Sequence, residues 1–427
     1  MLLKRIRRLV SIFRGYLLVL FGTGFARILS FATAVILART LGSASFGEVS
    51  VFLAFLGFWV GSDFLDQTFV RYANAPDRDA PVDYLRAVFV LKIALNAVLL
   101  FASFPVSRLL ATTAFDKPSL TTPIFAALAC GVGLNFLSLR AATHQAKERF
   151  GYYTATTASF YVLSFLAVVA VVLAVAGDAL LPIYAAYVGV ATLVGAYAFL
   201  RLMRSVRNLM FDKRLVKVIV TFSRWLFAAN VAYIAFQRLD VFLLTAFASL
   251  PDVGEYSAGL RVVQIVSLLT GTLAPALLPR ATQATQAAPL LRAYLKQSAG
   301  LSLVIAILAS AVWIAAPMIV TLFFGSQYRD AATVTRVFLI GTVLVAIYTP
   351  LSQLLLGYTQ PRRVFYLAVL KLCVIGGSGV LLVPRLAGPG AALAVTLSEA
   401  AALLYVLLAL RRRILAAFVQ PRPATIS

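Results

Sequence analysis

Residues 299–324 read AGLSLVIAILASAVWIAAPMIVTLFF, 26 consecutive positions without a charged side chain. As an α-helix rising about 1.5 Å per residue, this stretch reaches about 39 Å, more than the roughly 30 Å of hydrocarbon in a bilayer. A soluble core hides one such segment with difficulty, and this chain is built largely of them. Of its 427 residues 62% are hydrophobic and 12% charged, with a mean hydropathy of +0.94. Soluble domains are about half apolar and about a quarter charged. Lipid is therefore the solvent for most of this surface.

Working outward from 299–324, the same ruler predicts twelve spans. They lie near 16–40, 46–70, 84–110, 120–142, 152–177, 180–203, 215–249, 253–279, 292–324, 330–357, 363–384 and 388–410. Turn-forming segments such as LGSASFG, FDKPS, SLPDVG, FGSQYRD and LAGPG separate them. Basic residues collect in alternate connections. One side holds 26, including Lys4, Arg5, Arg71, Arg86, Arg140, Arg204, Arg214, Arg280 and Arg411; the other holds only Arg39, Arg108, Lys117, Arg329 and Arg385. Cytoplasmic loops retain Lys and Arg, so the first side is predicted to be cytoplasmic and both termini with it. The same sorting explains the net charge of +23 without invoking nucleic acid. The N-terminal KRIRR precedes an apolar run too long for a signal-peptide core, so a retained first span is expected.

FGEVS at 46–50 matches VGEYS at 253–257, an offset of 207 residues. The most basic connection falls at the midpoint. The expected fold is thus an all-α membrane protein of two pseudo-symmetric six-helix lobes, 1–210 and 211–427. Parallel repeats of this kind rock about a substrate site in many transporters.

The chain lacks the groups of an ATP-driven pump or a hydrolase. There is no GxxxxGK[ST] loop, and GGSG at 376–379 sits inside a span, where close helix packing explains it. The single histidine, His144, lies in a loop; Cys130 and Cys373 sit in apolar runs as packing residues. Neither an enzyme nor a cofactor is expected, and with only short external connections the function must lie within the membrane.

Ionisable groups inside spans are expensive and face a cavity or a partner. Arg27, Lys92, Arg224, Arg238, Arg261, Arg336 and Lys371 fall within predicted spans, against Asp63, Asp66, Asp240 and Glu399. Pairing is one account, for example Arg27 with Asp63. Cations nonetheless outnumber acids, and a water-filled cavity for an anionic substrate absorbs the surplus. Arg27, Arg238 and Arg261 are the first candidates for substrate binding, with Lys92, Arg336 and Lys371 after them. Asp63, Asp240 and Glu399 are candidates for coupling to protons or sodium. Asn96, Asn135, Asn230, Gln237 and Gln264 offer hydrogen bonds to sugar hydroxyls or to one another.

ILARTLGSASFGEVS at 36–50 resembles the first loop of oligosaccharide flippases of the Wzx type, members of the multidrug/oligosaccharidyl-lipid/polysaccharide exporter superfamily. QRLDVFLLTAFASLPDVGEYSAGLRVVQI at 237–265, LLPRAT at 277–282, LFFGSQYRDA at 322–331 and LAGPGAALAVTLSE at 386–399 extend the likeness over nearly the whole chain. The resemblance implies a V-shaped, alternating-access transporter of the cell (inner) membrane. It would move a polyprenyl-diphosphate-linked sugar or oligosaccharide to the external leaflet for surface polysaccharide such as O-antigen or exopolysaccharide. It further implies a monomer working beside glycosyltransferases or a polysaccharide polymerase. In that family basic residues on the first helices of each lobe serve the diphosphate, and Arg27, Arg238 and Arg261 occupy such spans. Two alternatives stay open: a cation-coupled multidrug antiporter of the same fold, and a membrane enzyme acting on lipid-linked glycans.

Overall fold

The computed structural model describes residues 2–61, 64–73, 81–175, 179–206, 213–358 and 361–419. Among them the chain is helical almost throughout and has no strand. Eleven α-helices follow in order: α1 Leu2–Gly61, α2 Phe64–Ala73, α3 Pro81–Leu109, α4 Thr121–Ala146, α5 Phe150–Ala174, α6 Leu180–Val206, α7 Lys213–Phe247, α8 Leu250–Ala284, α9 Ala288–Phe324, α10 Ala331–Gly357 and α11 Pro361–Val419. Asp63 lies outside the described residues.

Eight of these helical stretches are long and apolar enough to cross a membrane. Two of the eight, within α1 and α11, contain a break in helical geometry at Gly42 (φ 78°) and Ala387 (φ 47°), so each supplies two arms. Glycine adopts positive φ at no steric cost, which explains the residue at the first break. Helices α7 and α8 add 35 residues each and are more polar, carrying Gln237, Arg238 and Asp240, and Glu255, Arg261 and Gln264. Counting two arms each for α1 and α11, and α7 and α8 with the rest, the long helical segments number twelve, matching the spans read from the sequence. The FGEVS and VGEYS motifs occupy matching places, after the Gly42 break and in the opening turns of α8, each burying its first residue, Phe46 and Val253. Ser249 caps α8 in a reciprocal capping box with Asp252.

Contacts divide the chain into two compact units, 1–238 and 239–427. In the first, α4 is central, packing on α6, α1, α3 and α5. Gly133 of α4 and Gly195 of α6 let the two backbones touch; a Cβ on either would fall on the other helix's main chain. Small residues serve membrane interfaces in this way, because without hydrophobic drive helices gain from close van der Waals contact. In the second unit α10 is central, between α8, α11 and α9. Pro350 inside α10 has no N–H for the carbonyl of Ala346, and the Ser302 hydroxyl of α9 donates to that oxygen at 2.8 Å. Tyr294 of α9 donates to the Pro350 carbonyl itself at 2.8 Å. Backbone groups freed by proline are thus satisfied from the neighbouring helix, as a lipid-immersed helix requires.

Candidate functional site

The six basic residues singled out by sequence fall into different environments. Lys92 of α3 is 1% exposed and Asp66 of α2 is 4% exposed. Their charged groups meet at 2.7 Å. The Lys92 ammonium also donates to the Asn135 carbonyl at 2.7 Å and the Ser138 hydroxyl at 2.9 Å, both on α4. Three donors therefore find three acceptors, the full capacity of the group. One turn deeper, the Asn135 amide donates to the Asn96 side-chain oxygen at 2.8 Å, and Asn96 donates to the Val132 carbonyl at 3.2 Å. This buried ladder joins α3 to α4, and the two asparagines take the interhelical hydrogen-bond role.

Lys371 on the first arm of α11 meets Glu399 on the second arm at 2.8 Å, and also donates to the Tyr348 hydroxyl of α10 at 3.0 Å. The pair bridges the break at Ala387. Its side chains are about one-tenth exposed. A charge pair drawn out of water holds only when its geometry is good and its spare hydrogen-bonding sites are filled.

Arg336 of α10 has another partner. Pro317 interrupts the ladder of α9 and leaves the carbonyl of Trp313, four residues before it, without its usual donor. The Arg336 Nε donates to that oxygen at 3.2 Å, and its guanidinium sits 4.7 Å from the centre of the Trp313 ring. Arg336→Leu is expected to lower stability by about 1–3 kcal/mol, the range for a polar group left unpaired. The midpoint of thermal unfolding in detergent checks this.

Of the remaining three arginines, Arg27 and Arg238 carry no such obligation to a carboxylate among the described residues. Arg27 is exposed on the first arm of α1, between Phe25 and Ile28, themselves 52% and 66% exposed. Among the described residues it has no hydrogen-bond or ion-pair partner. Arg238 of α7 is half-buried, with its guanidinium laid over the backbone of Gly57 in the second arm of α1; a Cβ on Gly57 would come within 2.7 Å of Nη2. Arg261 of α8 is half-buried and donates to Gln264 at 3.4 Å. Arg27 and Arg238 belong to the first compact unit, Arg261 to the second. Asp240, two residues beyond Arg238, accepts hydrogen bonds from the Tyr256 hydroxyl of α8 and from the Val241 amide.

The structure therefore brings Lys92 to Asp66 and Lys371 to Glu399. Gly57 is a contributor that sequence reading did not single out. A glycine inside the apolar run FLAFLGFWVG signals close approach of something, but not of what. Tyr348, Asn135 and Ser138 likewise emerge only from helix packing.

The comparisons with known proteins agree on the architecture. The inward closed conformation of the lipid II flippase MurJ matches at a TM-score of 0.75, with 12% identity over 94% of this chain and 91% of that one. An inward-facing multidrug resistance MATE family transporter of the MOP superfamily matches at 0.74, with 14% identity over 93% and 96%. A MOP superfamily transporter from Pyrococcus furiosus, described as having a binding pocket of reverse polarity that suggests a different function, matches at 0.58, with 14% identity over 96% of both chains. At such identities these likenesses establish the fold of flippases and transporters. No curated protein sequence matches. The family of polysaccharide biosynthesis proteins matches over residues 12–285, more than half of the chain. This multi-pass membrane protein belongs to the polysaccharide biosynthesis protein family.

Proposed function

We propose that the protein is a flippase of the Wzx type. It carries a polyprenyl-diphosphate-linked sugar or oligosaccharide from the cytoplasmic to the external leaflet of the cell (inner) membrane, for surface polysaccharide synthesis. The observation that carries this reading is the sorting of the intramembrane cations. Lys92 and Lys371 are neutralised by Asp66 and Glu399, and Arg336 holds a backbone carbonyl. Arg27 and Arg238 have no carboxylate partner among the described residues.

A diphosphate does not cross about 30 Å of hydrocarbon unaided, because an unpaired charge there costs too much. Arginine meets that need, since its planar fork donates in pairs to phosphate oxygens and keeps its charge. We assign Arg27, Arg238 and Arg261 to the diphosphate within a cationic cavity, with lobes 1–210 and 211–427 alternating in access. Lys92, Lys371 and Arg336 then position helices. Of the acids, Asp240 suits ion coupling better than Glu399, which is committed to Lys371. A multidrug antiporter is the other reading on this fold; antiporter substrates that are cations would be repelled by the same arginines.

Deleting the gene is expected to make a lipid-linked glycan accumulate on the cytoplasmic leaflet, and Arg27→Ala or Arg261→Ala should do the same while the protein still inserts. Export would fall by about tenfold or more for each, the equivalent of losing a charge-assisted contact worth about 1.5–3 kcal/mol. Normal surface polysaccharide in both variants would overturn the assignment of these arginines. The absence of any accumulating lipid-linked glycan in the deletion would overturn the flippase reading itself.

A further inference from the structure

A cavity of about 500 Å³ lies where α3 meets α6. Its lining includes Arg86, Phe89, Val90 and Ile93 from α3, with Met203 and Arg204 from α6. Arg86 lies in the opening turns of α3 and Arg204 in the last turn of α6, so both guanidinium groups stand at the same end of these antiparallel crossings. Among the described residues neither has a hydrogen-bond or ion-pair partner. Asp83 precedes Arg86 by three positions, with its side chain outside the described residues; counted with Arg86, Arg201 and Arg204 it still leaves the site cationic.

The wall below the arginines is apolar and open. Val90, Ile93 and Met203 are 37%, 41% and 44% exposed, on helices long and apolar enough to cross a membrane. Ile93 lies two turns from Arg86, about 10 Å further along the helix. The floor is pre-formed: Phe89 is 4% exposed and held against Phe136 and Phe199, with ring centres 5.9 Å and 5.4 Å away. Two unpaired guanidinium groups at the membrane boundary thus stand above a fixed greasy slot descending into the bilayer. That combination matches a phosphate joined to an acyl chain and does not match a free anion, which has no use for the slot.

We propose that this cavity binds an anionic phospholipid, its headgroup phosphate held by Arg86 and Arg204 and its acyl chain along Val90, Ile93 and Met203. Basic pockets between membrane helices recognise anionic headgroups by this chemistry. The inference is independent of what the protein transports.

The test uses the full chain in nanodiscs of equal parts dioleoyl-phosphatidylglycerol and dioleoyl-phosphatidylcholine, with lipid retained on release read by native mass spectrometry. Preferential retention of phosphatidylglycerol is expected. It should weaken about 25-fold in Arg86→Gln/Arg204→Gln, from about 1 kcal/mol per basic residue. Arg280→Gln/Arg292→Gln, which removes equal charge from the other compact unit, should retain the lipid. Added inorganic phosphate should not displace it. Unchanged retention in the first double variant, an equal loss in the second, or displacement by phosphate would each overturn the proposal. Should the first double variant fail to fold, Arg204→Gln alone, at an exposed position, is expected to weaken retention about fivefold, and no change there would overturn it equally.

Discussion

Lys92→Met is expected to destabilise the protein by about 3–5 kcal/mol, the cost of leaving one member of a buried ion pair alone. Asp66 would remain at 4% exposure facing an apolar side chain, and the carbonyl of Asn135 and hydroxyl of Ser138 would each lose a donor. The partner substitution separates this from a transport defect. Lys92→Met combined with Asp66→Leu removes both charges together, and replacing a whole buried pair by apolar residues is often neutral or stabilising. The double variant should therefore recover most of the thermal stability and export glycan normally. A stable double variant that exports nothing would show that Lys92 handles substrate. One that stays unstable would show that the Asn135 and Ser138 bonds, and not the charge pair, hold α3 to α4.

The second large effect is expected at Gly57. A methyl group there comes within 2.7 Å of the Arg238 Nη2, and the atom it meets is the end of a long flexible side chain. The backbone has no reason to shift, so Gly57→Ala should fold, insert and melt nearly as the parent does. The guanidinium must move by several tenths of an ångström or more. If Arg238 serves the diphosphate, export falls by about tenfold or more, because misplacing a positioned group by about 1 Å costs up to a hundredfold. Arg238→Lys should fail similarly, since an ammonium does not reproduce the paired donors. Accumulation of lipid-linked glycan on the cytoplasmic leaflet, measured at matched protein levels, checks both. Normal export by Gly57→Ala together with Arg238→Ala would remove Arg238 from the substrate path.

Sequence reading and structure part company at the level of partners. Crossing number was legible because a bilayer imposes one length on every span, and 299–324 announces it. The repeat was legible because FGEVS and VGEYS sit in equivalent opening turns. Lys92 and Asp66 were both visible as costly intramembrane charges, yet their pairing depends on how α2, α3 and α4 pack, and no local spacing encodes that. Lys371 and Glu399 are brought together by the break at Ala387, which LAGPG at 386–390 announces as a turn, yet a turn does not say which side chains of its two arms meet. Arg336 illustrates a half-visible case. Pro317 tells the reader that the Trp313 carbonyl is orphaned; only the structure names the donor. What the sequence counted as a surplus of seven cations is, side by side with their neighbours, a smaller and more specific set.

The two ion pairs have a meaning for how the chain enters the membrane. Each joins helical segments consecutive along the chain: Lys92 follows Asp66 by 26 positions, and Glu399 follows Lys371 by 28. During synthesis the second charge of each pair therefore arrives one crossing after the first. A lysine released alone into lipid would meet the cost of an unpaired cation at a helix centre, about 2.5–3.5 kcal/mol on insertion scales. A hairpin that leaves the translocon as a unit carries its own counter-charge and is electrically neutral at depth. In the hairpin of α11 the lysine comes first, so Lys371 waits for Glu399 until the second arm is made.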